Sequence, residues 1–128
     1  MLKRLLLIVA VLGFSSVALA QGSFDGKWNA TVVRPAPAPT QTLVINLKTT
    51  DTKTVTGSVV IQDAGEVPID WGMVKGDLIT FKIKMPFANV PTTFVYIGKI
   101  DGDQISFGRR PEDLTKGVLV EFVAKKSN

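Results

Sequence analysis

Apolar and polar side chains alternate along most of the chain beyond residue 26. A period of two is typical of β-strands, because successive side chains of a strand point to opposite faces of a sheet. Glycine, proline and Asp/Asn clusters divide this pattern into separate runs, and no run has the apolar spacing of an amphipathic helix. The pattern predicts eight strands, at residues 27–34, 41–49, 54–62, 66–74, 77–85, 92–100, 103–110 and 117–125.

The alternation also divides the side chains of these strands between two faces. We expect one face to form the core because it holds most of the large apolar side chains, whereas Lys, Thr, Asn and Ser dominate the other. The predicted core consists of Trp28, Ala30, Val32, Leu43, Ile45, Leu47, Val59, Ile61, Val67, Ile69, Trp71, Met73, Ile79, Phe81, Ile83, Met85, Phe94, Tyr96, Ile100, Ile105, Phe107, Val118, Val120 and Phe122.

The links between the strands differ at their two ends. At one end the links are short, and x-Gly pairs suit two-residue hairpin turns. At the other end most links are long, and the alternating prolines of Pro35–Pro39 predict a stiff, extended polyproline segment. The short links are 50–53, 75–76 and 101–102, and the others are 35–40, 63–65, 86–91 and 111–116.

An up-and-down order of eight strands with tight turns at one end predicts a specific architecture. The expected fold is all-β, an eight-stranded antiparallel up-and-down barrel with a closed floor and an open rim. A β-sandwich made of the same strands is the structural alternative.

The first twenty residues have the three parts of a signal peptide. Lys3 and Arg4 are followed by an apolar run from Leu5 to Phe14 and by the exit Ala18-Leu19-Ala20. The apolar run is shorter than the roughly 20 residues of a spanning helix, so we expect cleavage and no membrane insertion. The expected product is one domain, residues 21–128, that is secreted or periplasmic.

Charge and residue usage exclude several classes of function. Removal of the leader leaves 13 basic and 11 acidic side chains, a net charge of +2 that gives no reason to expect nucleic acid. The chain has no histidine and no cysteine, so the Ser-His and Cys-His nucleophile pairs and the usual zinc sites cannot form. We therefore expect no catalytic residues, no cofactor and no metal.

Two acidic clusters offer alternatives to that expectation. Asp63, Glu66 and Asp70 are close enough in sequence for general acid and base chemistry, which makes a small hydrolase the third functional hypothesis. Asp101-Gly102-Asp103 matches half of a calcium loop, but its position in a two-residue hairpin favours a plain turn.

Two segments resemble known families. Residues 96–107, followed by Glu121-Phe122-Val123-Ala124-Lys125, resemble a set of short exported bacterial proteins of unknown function with a Gly-x-Trp first strand. Gly26-Lys27-Trp28 is distantly similar to the opening motif of the calycins, the lipocalin and avidin group of ligand-binding barrels. That resemblance implies a barrel in which a late arginine covers the tryptophan, with Arg109 or Arg110 as the candidate.

The aromatic core face leads to two further hypotheses. The rings either line a cup for a small apolar or amphipathic ligand, or fill a solid barrel whose loops or edge contact a cell-envelope protein. Arg109 lies two positions after Phe107 on the same strand, so its side chain is expected to point into the barrel as well. There it either binds an acidic ligand group, lies over a tryptophan or pairs with Glu112. The leading hypothesis is a non-catalytic protein that binds a ligand at the rim. Its candidate ligand-binding residues are Arg34, Trp28, Trp71, Phe87, Phe94, Tyr96 and Arg109.

Overall fold

Nine strands and one short 3₁₀ turn make up the regular structure of the described chain. The computed structural model describes residues 23–127 except positions 35, 63 and 88, so the predicted leader lies outside the described residues. All eight predicted strands are present, and the fourth is divided in two. The elements are β1 (Gly26–Val32), β2 (Gln41–Thr50), β3 (Thr54–Ile61), β4 (Gly65–Pro68), β5 (Trp71–Lys75), β6 (Leu78–Phe87), β7 (Val90–Asp101), β8 (Gln104–Pro111), the 3₁₀ turn Leu114–Lys116 and β9 (Val120–Lys126).

The strands close into an antiparallel barrel. Strands β4 and β5 both pair with β3 and together occupy one place in the ring. The ring is completed where β1 pairs with β9, with Trp28 opposite Lys126 and Ala30 opposite Ala124. This closure confirms the predicted eight-stranded up-and-down barrel and excludes the sandwich.

One extra residue breaks the fourth predicted strand. Ser58 lies opposite Pro68, but Thr54, four positions earlier on β3, lies opposite Met73, five positions later. An extra residue in one strand reverses the face to which all later side chains point. Trp71 and Met73 were predicted for the core, but they point outward and are 47 % and 44 % exposed. The prediction was wrong because period-two counting assumes an unbroken ladder.

The inward positions of β5 are occupied by Gly72 and Val74 instead. Gly72 is buried, and a Cβ atom there would lie 2.6 Å from Cγ1 of Val55 on β3. The two strands therefore approach closely at a point where only glycine fits. Val74 packs against the edge of the core.

Two tight hairpins lie at the predicted closed end, but each is shifted by one residue. Gly76-Asp77 and Gly102-Asp103 connect their strands, with the glycines at φ 62° and 64°. A positive φ at the first of two central positions fits a type II′ turn, in which glycine stands first. The predicted turns at 75–76 and 101–102 were wrong by this one position.

The predicted long link at 86–91 is a hairpin. Strand β6 continues to Phe87 and β7 begins at Val90, so Pro86 and Pro91 face each other within the ladder. Hydrogen-bonded and unbonded pairs alternate along antiparallel strands, and the pair that closes a two-residue hairpin is bonded. The next pair, one step further from the turn, is not hydrogen-bonded and needs no backbone N–H group. Pro86 and Pro91 are therefore accommodated there.

Two other segments near the rim differ from expectation. Residues 36–38 form a turn rather than an extended polyproline segment, and Arg34 Nε donates a hydrogen bond to the Pro39 carbonyl oxygen over 2.9 Å. Val118, predicted for the core, is 62 % exposed because β9 begins only at Val120.

The floor of the barrel is formed around Trp28. Its indole Nε1 donates to the Phe24 carbonyl oxygen over 2.9 Å, and both side chains are buried. Lys126 Nζ lies 5.4 Å from the centre of the Trp28 ring, so the late cation over the tryptophan is a lysine and neither Arg109 nor Arg110. Gly26 leaves room for this lysine, since a Cβ there would lie 3.0 Å from Lys126 Cε.

Four aromatic rings fill the middle of the barrel. Tyr96 stacks on Phe81 with ring centres 4.7 Å apart, and Phe107 stacks on Phe122 at 5.4 Å. The two stacks meet edge to face, at 6.2 Å between Tyr96 and Phe107. An eight-stranded barrel is just wide enough to be filled by its side chains. The interior below the mouth is therefore packed.

Candidate functional site

A cavity of about 150 Å³ lies at the mouth of the barrel, where β2, β3, β6, β7 and β8 begin or end. A cavity of about this volume in another protein accommodates benzene, whereas pockets for whole drug-sized molecules measure roughly 300–1,000 Å³. The mouth cavity is therefore large enough for one ring or one head group. It is lined by Arg34, Gln41, Ile61, Met85, Phe87, Phe94, Tyr96 and Arg109.

Arg109 extends across this mouth. It lies on β8, and its Nη1 donates a hydrogen bond to Gln41 Oε1 on β2 over 3.1 Å. Strands β9 and β1 separate β8 from β2 in the ring, so this contact spans the barrel opening. Glu112 accepts a hydrogen bond from Lys82 Nζ at 2.6 Å, so the alternative in which Arg109 pairs with Glu112 is not observed.

Tyr96 places a buried polar atom at the wall of the cavity. The residue is fully buried directly opposite Arg109, and its hydroxyl oxygen has no hydrogen-bond partner among the described residues. Burial raises the pKa of the Tyr96 phenol, while the positive charge of Arg109 and the approach of its guanidinium group to the hydroxyl act in the opposite direction, although that approach does not have hydrogen-bond geometry. The hydroxyl is thus a neutral donor at neutral pH, and a buried donor without a partner destabilises the protein.

The charges at the mouth are unbalanced. Two guanidinium groups, of Arg34 and Arg109, line the cavity, and no carboxylate among the described residues lines it. Within the described part of the chain, the ion pairs are Lys82 with Glu112 and Lys99 with Asp77, so neither lining arginine takes part in one. The cavity therefore presents positive charge without a described counter-charge.

An aromatic pair forms the outer edge of the cavity. Phe87, near the end of β6, meets Phe94 of β7 edge to face with ring centres 5.9 Å apart. Phe87 is 49 % exposed, whereas Phe94 is half-buried against the core. The cavity thus has an apolar entrance and a buried polar interior.

The structure brings together five of the seven residues predicted for the site. Arg34, Phe87, Phe94, Tyr96 and Arg109 all line the mouth cavity, whereas the two tryptophans lie elsewhere. The buried Trp28 belongs to the floor, and Trp71 lies on the outer face.

Sequence reasoning did not assign Gln41, Ile61 and Met85 to the site. Ile61 and Met85 were predicted for the core face, and their strand-end positions were the available signal. Gln41 shares the inward parity of Leu43, so a polar side chain at an inward position was the signal there.

A second, more open groove lies on the outer surface where β3 and β5 separate. It measures about 710 Å³ and includes Trp71 and Met73, with Lys82 Nζ 5.5 Å from the centre of the indole ring. Its volume is larger than that of the mouth cavity, but an open groove shares its space with solvent. Among the described residues of the outer groove, every buried polar side-chain atom has a hydrogen-bond partner. The mouth cavity, which lies beside the Tyr96 hydroxyl, is therefore the candidate site.

The described acidic residues of the alternative hypotheses lie outside the mouth cavity. Asp63 lies outside the described residues, Glu66 accepts a hydrogen bond from Ser58 Oγ at 2.6 Å, and Asp70 is exposed in the outer groove. Asp101-Gly102-Asp103 belongs to a hairpin, as the turn hypothesis predicted. Among the described residues, no three His, Cys, Asp or Glu side chains form a cluster suited to a metal ion.

Comparison of the chain with protein-family models, with curated proteins and with solved structures finds no match. The described residues include no helix long and apolar enough to cross a membrane. The geometry of the mouth is therefore the basis for a functional proposal.

Proposed function

We propose that this chain is an exported, non-catalytic binding protein that holds one small amphipathic ligand in the mouth cavity. The observation that supports it most is the buried Tyr96 hydroxyl, which has no hydrogen-bond partner among the described residues and lies at the wall of a cavity lined by two arginines, Gln41 and apolar side chains. Buried polar groups are almost always hydrogen-bonded, so an exception at a cavity wall indicates a partner from outside the chain. The predicted leader supports a location outside the cytoplasm.

The size of the cavity sets the choice of probe. Benzoate, benzamide and benzyl alcohol each combine one ring with one polar group, and each matches a cavity that accommodates about one ring. We expect at least one of them to bind the domain from residue 21 onward with a dissociation constant of about 1 mM or less.

Amide chemical shifts in two-dimensional NMR spectra locate such binding. The expected shifts cluster at Gln41, Phe94, Tyr96 and Arg109, which line the cavity. Shifts confined to Trp71 and its neighbours would contradict the proposal, and so would the absence of binding by all three probes.

Two methionines provide a matched pair of variants. Met85→Trp fills the mouth cavity with an indole, whereas Met73→Trp places the same side chain in the outer groove. We expect binding to be lost in the first variant and kept in the second. If Met85→Trp does not fold, Phe87→Ala removes a half-exposed ring of the entrance, and we expect binding several-fold weaker.

The second candidate function is a protein-interaction module of the cell envelope. It is favoured by the exposed Trp71, because tryptophan is enriched at the energetic centres of protein interfaces. Loss of a cellular partner in Met73→Trp but not in Met85→Trp supports this function, and the reverse result contradicts it.

A further inference from the structure

We infer that the ligand of the mouth cavity is a small monocarboxylate that enters with its carboxylate first, towards Tyr96 and Arg109. This inference rests on the proposed function and specifies its ligand. Its basis is the combination of two guanidinium groups and an apolar entrance in one cavity, with a buried tyrosine hydroxyl at the cavity wall.

The hydrogen-bond donors at the cavity favour a negative charge on the polar head group of the ligand. A guanidinium group binds a carboxylate through two parallel hydrogen bonds, and the Tyr96 hydroxyl can donate a further hydrogen bond to an oxygen atom. A cationic head group would meet Arg34 and Arg109, and within the described part of the chain no carboxylate lines the cavity to compensate for it. A neutral head group would accept the same hydrogen bonds without the charge assistance.

The volume and burial favour one negative charge over two. The Tyr96 side chain is fully buried, and removal of a second charge from water raises the cost of binding there. A phosphate group is also bulkier than a carboxylate, and it would have to share about 150 Å³ with the rest of the ligand.

The orientation follows from the depth of each lining residue. Tyr96 is fully buried, whereas Phe87 at the entrance is 49 % exposed. Below Tyr96 the barrel is filled by the stack with Phe81, so no apolar tail can extend inward. The carboxylate must therefore lie deep, with the ring between the entrance aromatics and any longer tail in solvent.

Isothermal titration with benzoate, benzamide, benzylamine and phenyl phosphate tests the charge. We expect benzoate to bind at least tenfold more tightly than benzamide, a difference of about 1.4 kcal/mol. Equal or tighter binding of benzamide, benzylamine or phenyl phosphate overturns the carboxylate inference and leaves the proposed function standing. If none of the probes binds at the mouth, both fail.

Adjacent arginines supply the control for the head-group contact. In Arg109→Gln we expect benzoate affinity to fall at least tenfold while benzamide affinity changes less than about twofold. Arg110 occupies the opposite face of β8, and its Nη1 donates to the Pro111 carbonyl oxygen, so Arg110→Gln should leave both affinities unchanged. Equal losses for both probes in Arg109→Gln would mean that this arginine only supports the fold.

A para substituent tests the orientation. With the carboxylate inward, the butyl chain of 4-butylbenzoate points out of the mouth, so this compound should bind at least as tightly as benzoate. It should also shift the amide of Val90, beyond Phe87 at the entrance. If 4-butylbenzoate binds more than tenfold more weakly than benzoate, the carboxylate does not enter first.

Discussion

Tyr96 is the residue at which stability and the proposed binding are opposed. Its ring packs against Phe81, but its hydroxyl has no partner among the described residues. Because a buried donor without a partner costs about 1–3 kcal/mol, we expect Tyr96→Phe to raise the free energy of unfolding by about 1 kcal/mol. The same variant should bind benzoate several-fold more weakly.

Urea unfolding followed by circular dichroism measures this effect in the absence of ligand. Thermal unfolding provides a second measurement, with an expected rise of about 4–8 °C per kcal/mol for a domain of this size. A loss of stability in Tyr96→Phe would mean that the hydroxyl is hydrogen-bonded in solution.

Asp51 and Thr52 hold the most strained backbone of the short links. Both adopt positive φ, 56° and 57°, in the turn closed by the hydrogen bond from Lys53 N to the Thr50 carbonyl oxygen. Left-handed backbone costs a non-glycine residue about 1–2 kcal/mol, and Thr52 is also β-branched. We expect Thr52→Gly to raise the free energy of unfolding by about 1 kcal/mol.

Thr56→Gly is the matched control for that change. Thr56 is exposed within β3, where glycine is unfavourable, so we expect a loss of about 0.5–1 kcal/mol. Urea unfolding of both variants separates relief of turn strain from the general effect of a glycine. A loss of stability in both variants would contradict strain at Thr52.

The pairing of β3 with β4 ends at Ser58, next to Gly57. Gly57 lies at this point with φ 138°, and a Cβ atom there would be 1.8 Å from the Asn46 carbonyl oxygen. Neither backbone can move without disturbing the ladder between β2 and β3. We expect Gly57→Ala to lower the free energy of unfolding by about 3 kcal/mol or more, or to prevent folding.

Gly65 provides the comparison for that prediction. It also has a positive φ, 89°, but nothing lies within 4 Å of the position that its Cβ would occupy. Gly65→Ala therefore isolates the dihedral strain, with an expected loss of about 1–2 kcal/mol. Equal losses in the two alanine variants, measured by urea unfolding, would rule out a close approach at Gly57.

The stability of the whole molecule should depend on pH through Glu112. The hydrogen bond from Lys82 and the charge of Lys82 hold the pKa of the Glu112 carboxyl below its usual range. A lowered folded-state pKa stabilises the fold above the unfolded pKa, and this contribution is lost as the pH falls through the folded value. We therefore expect Glu112→Gln to be less stable than the parent at neutral pH and equally stable in strong acid.

Urea unfolding midpoints between neutral and acidic pH test this dependence. The residue is exposed, so 1 M salt should reduce the difference at neutral pH by screening. A difference that persists unchanged at acidic pH would assign the effect of the variant to packing rather than to charge.

At the scale of the whole barrel, the packed floor and the open mouth have separate roles. A domain of this size must bury most of its large side chains to be stable, and the aromatic cluster around Phe81 and Phe107 does so. The polar residues Arg34, Gln41 and Arg109 prevent the same packing from continuing into the mouth. A small barrel can therefore be stable and still keep a cavity at one end.

The sequence by itself determined the strand number, the order, the core face of most strands and the end of the barrel at which the arginines meet. These features follow from local rules, because a period of two and turn-forming residues act over a few positions. For the same reason the sequence alone places Arg34, Phe87 and Arg109 at the mouth.

Only the tertiary structure decided the rest. One extra residue between β4 and β5 placed Trp71 outside, and the closure of β1 onto β9 placed Lys126 over Trp28. The cavity and the partnerless Tyr96 hydroxyl are likewise properties of several strands at once, since a cavity is the space that the side chains of all of them leave unfilled. A local sequence pattern carries no information about how completely the side chains of several strands fill the space between them.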